Sequence, residues 1–282
     1  MHKKNINTGN LYIISTPIGN IKDITYRSIE TLKNVDIIAA ENINHTKKLL
    51  NFYKIKNKII SFNKNNEKKK NEKILKILLN KKHVGIVSNA GTPLINDPGY
   101  LIVKKCHKKN IKVTPIPGPC AAIAAISSSG IQTKKFCYEG FVPKKKKKIK
   151  KMLEKLYLED RTIIIYETSN RIIKTLKIMS KIFGKNKKIT FAKEITKIWE
   201  TIKKTKLKKL IKWLKSKKSR TKGEIILIID RNKKLKKKKI YKKILKTFKI
   251  VKNFLPTSTA IKITSKIHDL NKNILYKYIL KK

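Results

Sequence analysis

Residues 84–99 read VGIVSNAGTPLINDPG, and the two halves of that stretch obey different rules. Val84-Gly85-Ile86-Val87 is a short continuous apolar run, as expected of a strand covered on both faces of a parallel sheet. The rest gathers Gly91, Pro93, Pro98 and Gly99 in a chain with only 10 Gly and 8 Pro among its 282 residues. Proline fixes φ, and glycine lets the backbone turn or a ligand approach closely. The stretch predicts a strand ending in a shaped loop, and in an open α/β sheet the carboxyl ends of strands are where ligands bind.

The same alternation extends outward. Leu11–Ser15 is a strand candidate followed by the turn Thr16-Pro17-Ile18-Gly19-Asn20, and Val35–Ala40, Lys58–Phe62 and Ile111–Pro115 are further apolar runs. Helical spacing separates them: a helix opened by Asp23-Ile24-Thr25, then Asn44–Phe52, Asn66–Lys81 and Tyr100–Lys109. Strands alternating with helices predict a parallel α/β sheet. A second α/β unit begins near Gly118, with strands at Phe136–Gly140, Thr162–Tyr166, Ile189–Lys193 and Glu224–Asp230. Its helices fall at Lys145–Leu158, Asn170–Phe183 and Lys206–Lys215. Lys233–Lys239 reads as a linker to a small helical unit with Ile261, Ile263, Ile267, Leu270, Leu275 and Ile279 as its core. The expected architecture is two α/β domains, residues 1–117 and 118–231, with a cleft between them and a C-terminal helical module over 232–282.

No apolar run approaches the ~20 residues that span a bilayer. Met1-His2-Lys3-Lys4-Asn5 is not followed by the apolar stretch and cleavage site of a secretory signal. Cys106, Cys120 and Cys137 contain no Cys-x-x-Cys, so neither a disulfide framework nor a metal site is expected. These features predict a cytoplasmic location. The net charge of +55 has two readings. Lysines neutralise the phosphates of a polyanion; equally, pressure toward AT-rich codons multiplies Lys, Ile and Asn together. Only five of the 72 basic residues are arginine, which fits the second reading. The charge agrees with a nucleic-acid partner without establishing one.

The chain contains no G-x-G-x-x-G after a strand, no Walker loop, no H-E-x-x-H and no G-x-S-x-G, which weighs against dinucleotide, nucleotide triphosphatase, zinc and serine hydrolase chemistry. Three loops remain as candidate ligand sites: Thr16–Asn20, Asn89–Gly99 and Ile116–Cys120. The amides opening the helix after Pro117-Gly118-Pro119 could hold an anion, or the small residues Ala121 and Ala122 could simply permit close packing on the sheet. Glu41 and His45 follow the second strand, and Glu167 and Glu194 follow second-domain strands. Each is a candidate polar site residue or an ordinary helix cap.

Taken in order, "LYIISTPIGNIKDIT", "AAENINHTKKLL", "VSNAGTPLINDPGY", "PIPGPCAAIAAISSSG", "YEGFVPKK", "IIIYETSNR" and "FAKEITKIWE" resemble the successive signatures of the tetrapyrrole methylase superfamily. More narrowly they resemble its bacterial small-subunit ribosomal RNA branch, which methylates a cytidine 2′-oxygen; the ending "LPTSTAIKI" resembles that branch's helical module. The resemblance implies S-adenosyl-L-methionine as cofactor, a homodimer, and 16S rRNA within the small ribosomal subunit as partner. It places the cofactor against Thr16, Pro17, Gly19, Ala90, Gly91, Thr92, Pro93, Cys120 and Ala121, with Tyr166 and Glu167 closing the cleft. A hydroxyl nucleophile needs a proton acceptor; Glu41 is the first expectation, then Glu167, with His45 as orienter or alternative base. Lys144, Arg171 and Lys193 are expected to meet RNA phosphates.

The chain departs from the family's usual pattern at several of these positions. The family commonly carries an acid and a base where this chain has Asn42 and Asn44, an acid at Asn89, serine at Cys120, and Pro-His at Ser169-Asn170. Two other readings stay open from sequence: methylation of a tetrapyrrole or a protein on the same fold, and a basic ribosome-assembly factor that has lost chemistry.

Overall fold

A computed structural model describes residues 8–231, 233–268, 275, 276 and 279. The first sheet contains β1 (Leu11–Ile14), β2 (Ile37–Ala40), β3 (Ile59–Ser61), β4 (Val84–Val87) and β5 (Val113–Ile116). Their order is β3-β2-β4-β1-β5 and every pairing is parallel. Pro115 falls in the edge strand β5, where a missing N–H costs no ladder bond on the open side.

Helices α1 (Tyr26–Asn34) and α2 (Ile43–Phe52) bury Leu32 and Leu50 on one face of this sheet. On the other face α3 (Glu67–Leu79) and α4 (Tyr100–Lys108) bury Ile74, Leu78, Ile102 and Cys106. Side-chain caps set where α1 and α2 begin: the Ser28 N–H donates to Thr25 Oγ1 and the His45 N–H to Asn42 Oδ1, both at 3.1 Å. Thr25 is thus the cap, and Asp23 ends a separate short turn, Ile21–Asp23, rather than opening the helix. The crossovers after β1 and after β4 leave in opposite directions, so the loops at these two strand ends form a topological switch point.

The second sheet contains β6 (Phe136–Phe141), β7 (Thr162–Thr168), β8 (Lys188–Lys193), β9 (Thr201–Lys206) and β10 (Glu224–Ile229), in the order β6-β7-β10-β8-β9. Only β6–β7 is parallel; β10 runs antiparallel to both β7 and β8, and β9 antiparallel to β8. One face is covered by α5 (Ala121–Ser127), whose Ala122, Ala125 and Ile126 pack on Ile164, Ala192 and Ile228. The other carries α6 (Lys146–Tyr157), α7 (Ile172–Phe183) and α8 (Leu207–Lys215) on a core centred on Phe191 and Leu227. Strand β9, TIKKTK, hides its strand character behind lysines; it is an edge strand, where lysine guards against pairing with another chain.

The stretch expected as a linker, Lys233–Lys239, instead opens α9 (Lys233–Lys252), because nothing in it breaks a helix and lysine is a good helix former. Helix α9 packs against α10 (Thr257–Ile267) through Ile244, Phe248, Ala260 and Ile261, joined by Leu275 and Ile279. Ile267 is 59 % exposed, so it lies outside the core assigned to it from sequence, and Leu270 lies outside the described residues. Among the described residues no helix is long and apolar enough to cross a membrane.

Candidate functional site

Three loops at the carboxyl edge of the first sheet are tied into one surface. The Thr16 N–H donates to the Gly91 carbonyl and the Gly91 N–H returns to Thr16, both at 3.0 Å. Thr16 Oγ1 donates to the Ser88 carbonyl at 3.2 Å, and Thr92 Oγ1 donates to the Pro119 carbonyl at 3.1 Å. Gly91 has φ +78, and a Cβ there would lie 3.2 Å from Ile18 Cγ2. Glycine is therefore required at 91 on both conformational and packing grounds.

The second sheet faces these loops. Because β10 is antiparallel to β7 and β8, its first residues stand beside the last residues of those strands, Glu224 opposite Thr168 and Ile225 opposite Glu167 and Lys193. The two domains meet where the Asn20 N–H donates to Thr196 Oγ1 at 3.0 Å and where Asn96 is hydrogen-bonded to the Tyr138 hydroxyl.

Between them lies a central cavity of about 570 Å³. Its walls include five of the chain's 17 acidic residues, Glu41, Asp97, Glu167, Glu194 and Glu224, and no lysine or arginine among the described residues. Cavities on either side have the opposite character. One of about 360 Å³, sharing Ile18, Asn89, Ala90 and Glu224 with the central one, carries His45, Lys48 and Lys197. The other, of about 410 Å³, shares Glu194 and Gly223 and carries Lys193, Lys217, Arg220 and Lys222.

The expected site residues divide among these spaces. Glu41, Ala90, Gly91, Thr92, Cys120, Ala121, Tyr166 and Glu167 border the central cavity, and Thr16, Pro17, Gly19 and His45 border the first flanking one. Pro93 is buried behind the loop. Glu41 accepts a hydrogen bond from the Asn89 N–H at 3.2 Å. The Glu167 side chain is fully buried and its oxygens are committed: Arg171 Nη2 lies at 2.9 Å, Thr175 Oγ1 donates at 2.6 Å and the Thr168 N–H at 2.7 Å. Arg171 is equally committed, donating also to the Val142 carbonyl at 2.9 Å. The Lys193 ammonium is turned to the Ser219 carbonyl at 3.3 Å on a residue only 8 % exposed. Lys144 is exposed at the end of β6.

Glu224 carries no mark of its own in the sequence, and Asp97 stands in the conspicuous 88–99 loop as a residue that keeps the family's pattern, without a role assigned to it. Asp97 faces the central cavity half-buried, and burial followed by the neighbouring Glu41 carboxylate pushes its carboxyl up to about 6, against a hydrogen bond from Ser88 and the charge of Lys64. Burial likewise raises the Tyr138 phenol to about 12 and the Tyr166 phenol further, keeping both neutral hydrogen-bonding groups. Burial opposes charge on Glu194, yet the Glu224 N–H and Lys197 together hold it below the usual carboxylate range.

These residues fit a compact, positively charged, partly apolar ligand. Ile18, Ala121 and Tyr166 offer apolar surface, Glu41 and Asp97 offer negative charge, and the buried Asn89 Oδ1 has no hydrogen-bond partner among the described residues. A buried acceptor without a donor costs free energy until a ligand supplies one. S-adenosylmethionine, with its sulfonium, ammonium and ribose hydroxyls, meets each requirement, and the volume suits a molecule of its size.

Residues 10–211 match the family of tetrapyrrole (corrin/porphyrin) methylases. Among curated proteins, the ribosomal RNA small subunit methyltransferase I of Buchnera aphidicola subsp. Acyrthosiphon pisum is 52% identical over 274 residues, covering 97% of each chain. That of Escherichia coli O157:H7 is 41% identical over 272 residues, 96% of this chain and 95% of the relative. Among solved structures, a diphthine synthase superposes with a TM-score of 0.61 at 13% identity, covering 79% of this chain and 90% of that one. A cobalt precorrin-4 methyltransferase superposes with a TM-score of 0.59 at 14% identity, covering 82% and 97%. Such distant likenesses speak for the fold alone. The curated relatives span nearly the whole chain, and with the family match they show that this chain belongs to the tetrapyrrole methylases, in the group of ribosomal RNA small subunit methyltransferase I.

Proposed function

We propose that this chain transfers a methyl group from S-adenosylmethionine to the 2′-oxygen of a cytidine ribose in the 16S rRNA of the small ribosomal subunit. One observation carries the reading: a cavity whose walls hold no lysine or arginine among the described residues, with Glu41 and Asp97 in none of their ion pairs, flanked on both sides by basic cavities in a chain of net charge +55. A cationic donor is attracted to the centre, and a polyanionic acceptor to the flanks.

S-adenosylmethionine, when bound, supplies a methyl carbon already activated by the sulfonium. Gly91, Thr92, Cys120, Ala121 and Tyr166 form the walls that hold it, with Thr16, Pro17 and Gly19 buttressing the loop behind Ala90. What remains for the chain is to align the acceptor oxygen and take its proton, and alignment alone supplies much of the rate. Glu41 and Asp97 are the acids placed for proton acceptance; a carboxylate poised near 6 accepts a proton at neutral pH without being protonated beforehand. Glu167 holds Arg171 and the start of α7 in place instead, and Arg171 and Lys193 act within the fold. Lys48, Lys217 and Lys222 at the flanks, with exposed Lys144, take over the RNA contacts, while Lys197 stays bound to Glu194 and Glu224.

The protein works in the cytoplasm as a homodimer, with domain boundaries at 117/118 and 231/232. Small subunits lacking the modification, incubated with the wild-type chain and S-adenosylmethionine, should gain one ribose methyl detectable as an alkali-resistant linkage. Glu41→Gln should lower kcat by roughly 10²- to 10⁴-fold with cofactor affinity, read by calorimetry, retained within a few-fold. Full turnover in Glu41→Gln at saturating cofactor removes Glu41 from the mechanism, and methyl transfer to a porphyrinogen but not to small subunits overturns the substrate.

A further inference from the structure

The chain's two tryptophans are used in opposite ways. Trp213 is engaged by its own fold: Phe191 meets it edge-on at 5.9 Å, and Arg220 and Lys203 stand 4.6 and 5.2 Å from its ring centre. Trp199 is 75 % exposed beside Ile198 at 92 %. The loop that presents Trp199 is pinned. Glu194 and Thr196 take φ of +52 and +66, costly for any residue but glycine and most of all for a β-branched one. The Thr196 N–H donates to Glu200 at 2.7 Å, and Lys197 bridges Glu194 at 3.1 Å and Glu224 at 3.0 Å. The two strained residues lie five and three positions ahead of Trp199, in the loop that carries it.

Trp199 borders the 410 Å³ cavity together with Lys217, Arg220 and Lys222, and that cavity shares Glu194 and Gly223 with the acidic centre. An RNA strand whose ribose enters the centre cannot run its phosphates along acidic walls, so it must leave over a basic flank. We propose that this flank is a subsite for a nucleotide neighbouring the methylated one, its base stacked on Trp199 and its phosphate met by Lys217 and Lys222. Aromatic stacking beside cations is how single-stranded RNA is held. A second copy of this chain is the less suitable occupant, because it would set lysines against lysines. The subsite rests on the RNA reading above.

The test uses the full chain, small ribosomal subunits lacking the modification, and S-adenosylmethionine. Trp199→Ala should weaken subunit binding and raise the KM for subunits by roughly tenfold, with Trp199→Phe near wild type and cofactor affinity unchanged. Lys217→Ala and Lys222→Ala should each flatten the log–log dependence of subunit affinity on salt by about 0.7 to 0.9. Wild-type affinity and KM in Trp199→Ala overturn the subsite. So does a loss of dimer mass in Trp199→Ala with subunit affinity intact, which assigns the loop to self-association. Because Trp199→Phe preserves stacking, equal losses in the Ala and Phe variants also overturn it. A wild-type chain that neither binds nor methylates small subunits refutes the RNA reading itself, and the subsite falls with it.

Discussion

Replacing Asp97 with asparagine should stabilise this protein above pH 6 and leave it unchanged near pH 4. The Asp97 carboxyl is raised from an ordinary 3.8 to about 6, by burial first and the Glu41 carboxylate second. A folded-state value above the unfolded one means the folded form binds the proton more tightly, so stability is full below 3.8 and is lost as pH rises through about 6. Taken at face value the shift is a penalty of roughly 3 kcal/mol on the charged form. Asp97 is only partly buried, and solvent screening reduces this to about 1 kcal/mol. Asparagine keeps the shape and removes the charge. In a chain of this size about 1 kcal/mol moves Tm by roughly 2 °C. Thermal unfolding of wild type and Asp97→Asn followed by circular dichroism should therefore show curves that coincide at pH 4 and separate by that amount at pH 8. In a Glu41→Gln background the separation should shrink, because one of its two causes is gone. A variant less stable than wild type at pH 8, or a difference that does not vary with pH, would refute the reasoning.

Other expected outcomes test different parts of the site. Arg171→Ala leaves Glu167 buried and uncompensated and should cost about 3–5 kcal/mol in urea unfolding, with little loss in the salt dependence of RNA binding; a stable variant with weakened RNA binding would return Arg171 to the RNA. Gly91→Ala forces a Cβ into a left-handed turn and against Ile18, and should cost about 1–2 kcal/mol and weaken S-adenosylmethionine in calorimetry. Asn89→Asp adds a carboxylate beside Glu41 and should strengthen cofactor binding while moving the acid limb of the pH–rate profile upward; an unmoved limb would separate Asn89 from the Glu41–Asp97 pair.

The first sheet was legible because its strands are short, mostly apolar runs, each followed within three residues by Pro or Asn, and the 88–99 loop stood out by composition alone. The second sheet was harder for a physical reason. Its strands are equally apolar, yet nothing in ILIID-like runs reveals direction, and direction decides which end of β10 meets the cleft. Glu224 reaches the cavity only because β10 is antiparallel to its neighbours. Buried pairing was also invisible: "YETSNR" shows an acid and an arginine four residues apart, but not that they neutralise each other in the interior. Asp97 lay in the conspicuous loop, and its raised affinity for protons depends on Glu41, 56 residues away in the chain and adjacent only once β2 and β4 pair. Lysine-rich composition misled twice, hiding β9 and making the start of α9 look like a linker.

That same composition makes the central cavity informative. Lysine stands on helix faces, edge strands and loop tips throughout the chain. Among the described residues no lysine or arginine borders the acidic cavity, although its walls are drawn from loops of both domains. A lysine-rich composition that stops at the boundary of one cavity of about 570 Å³ meets a constraint there other than lack of room. Glu194 and Glu224 already share Lys197, and Glu167 holds Arg171. The constraint falls on Glu41 and Asp97, where a lysine would neutralise the field that attracts a cationic donor and would pair with the carboxylates that accept the proton. On the flanks composition and function point the same way, so lysine counts there decide nothing, and the discriminating residue is the one a lysine-rich composition does not explain, Trp199.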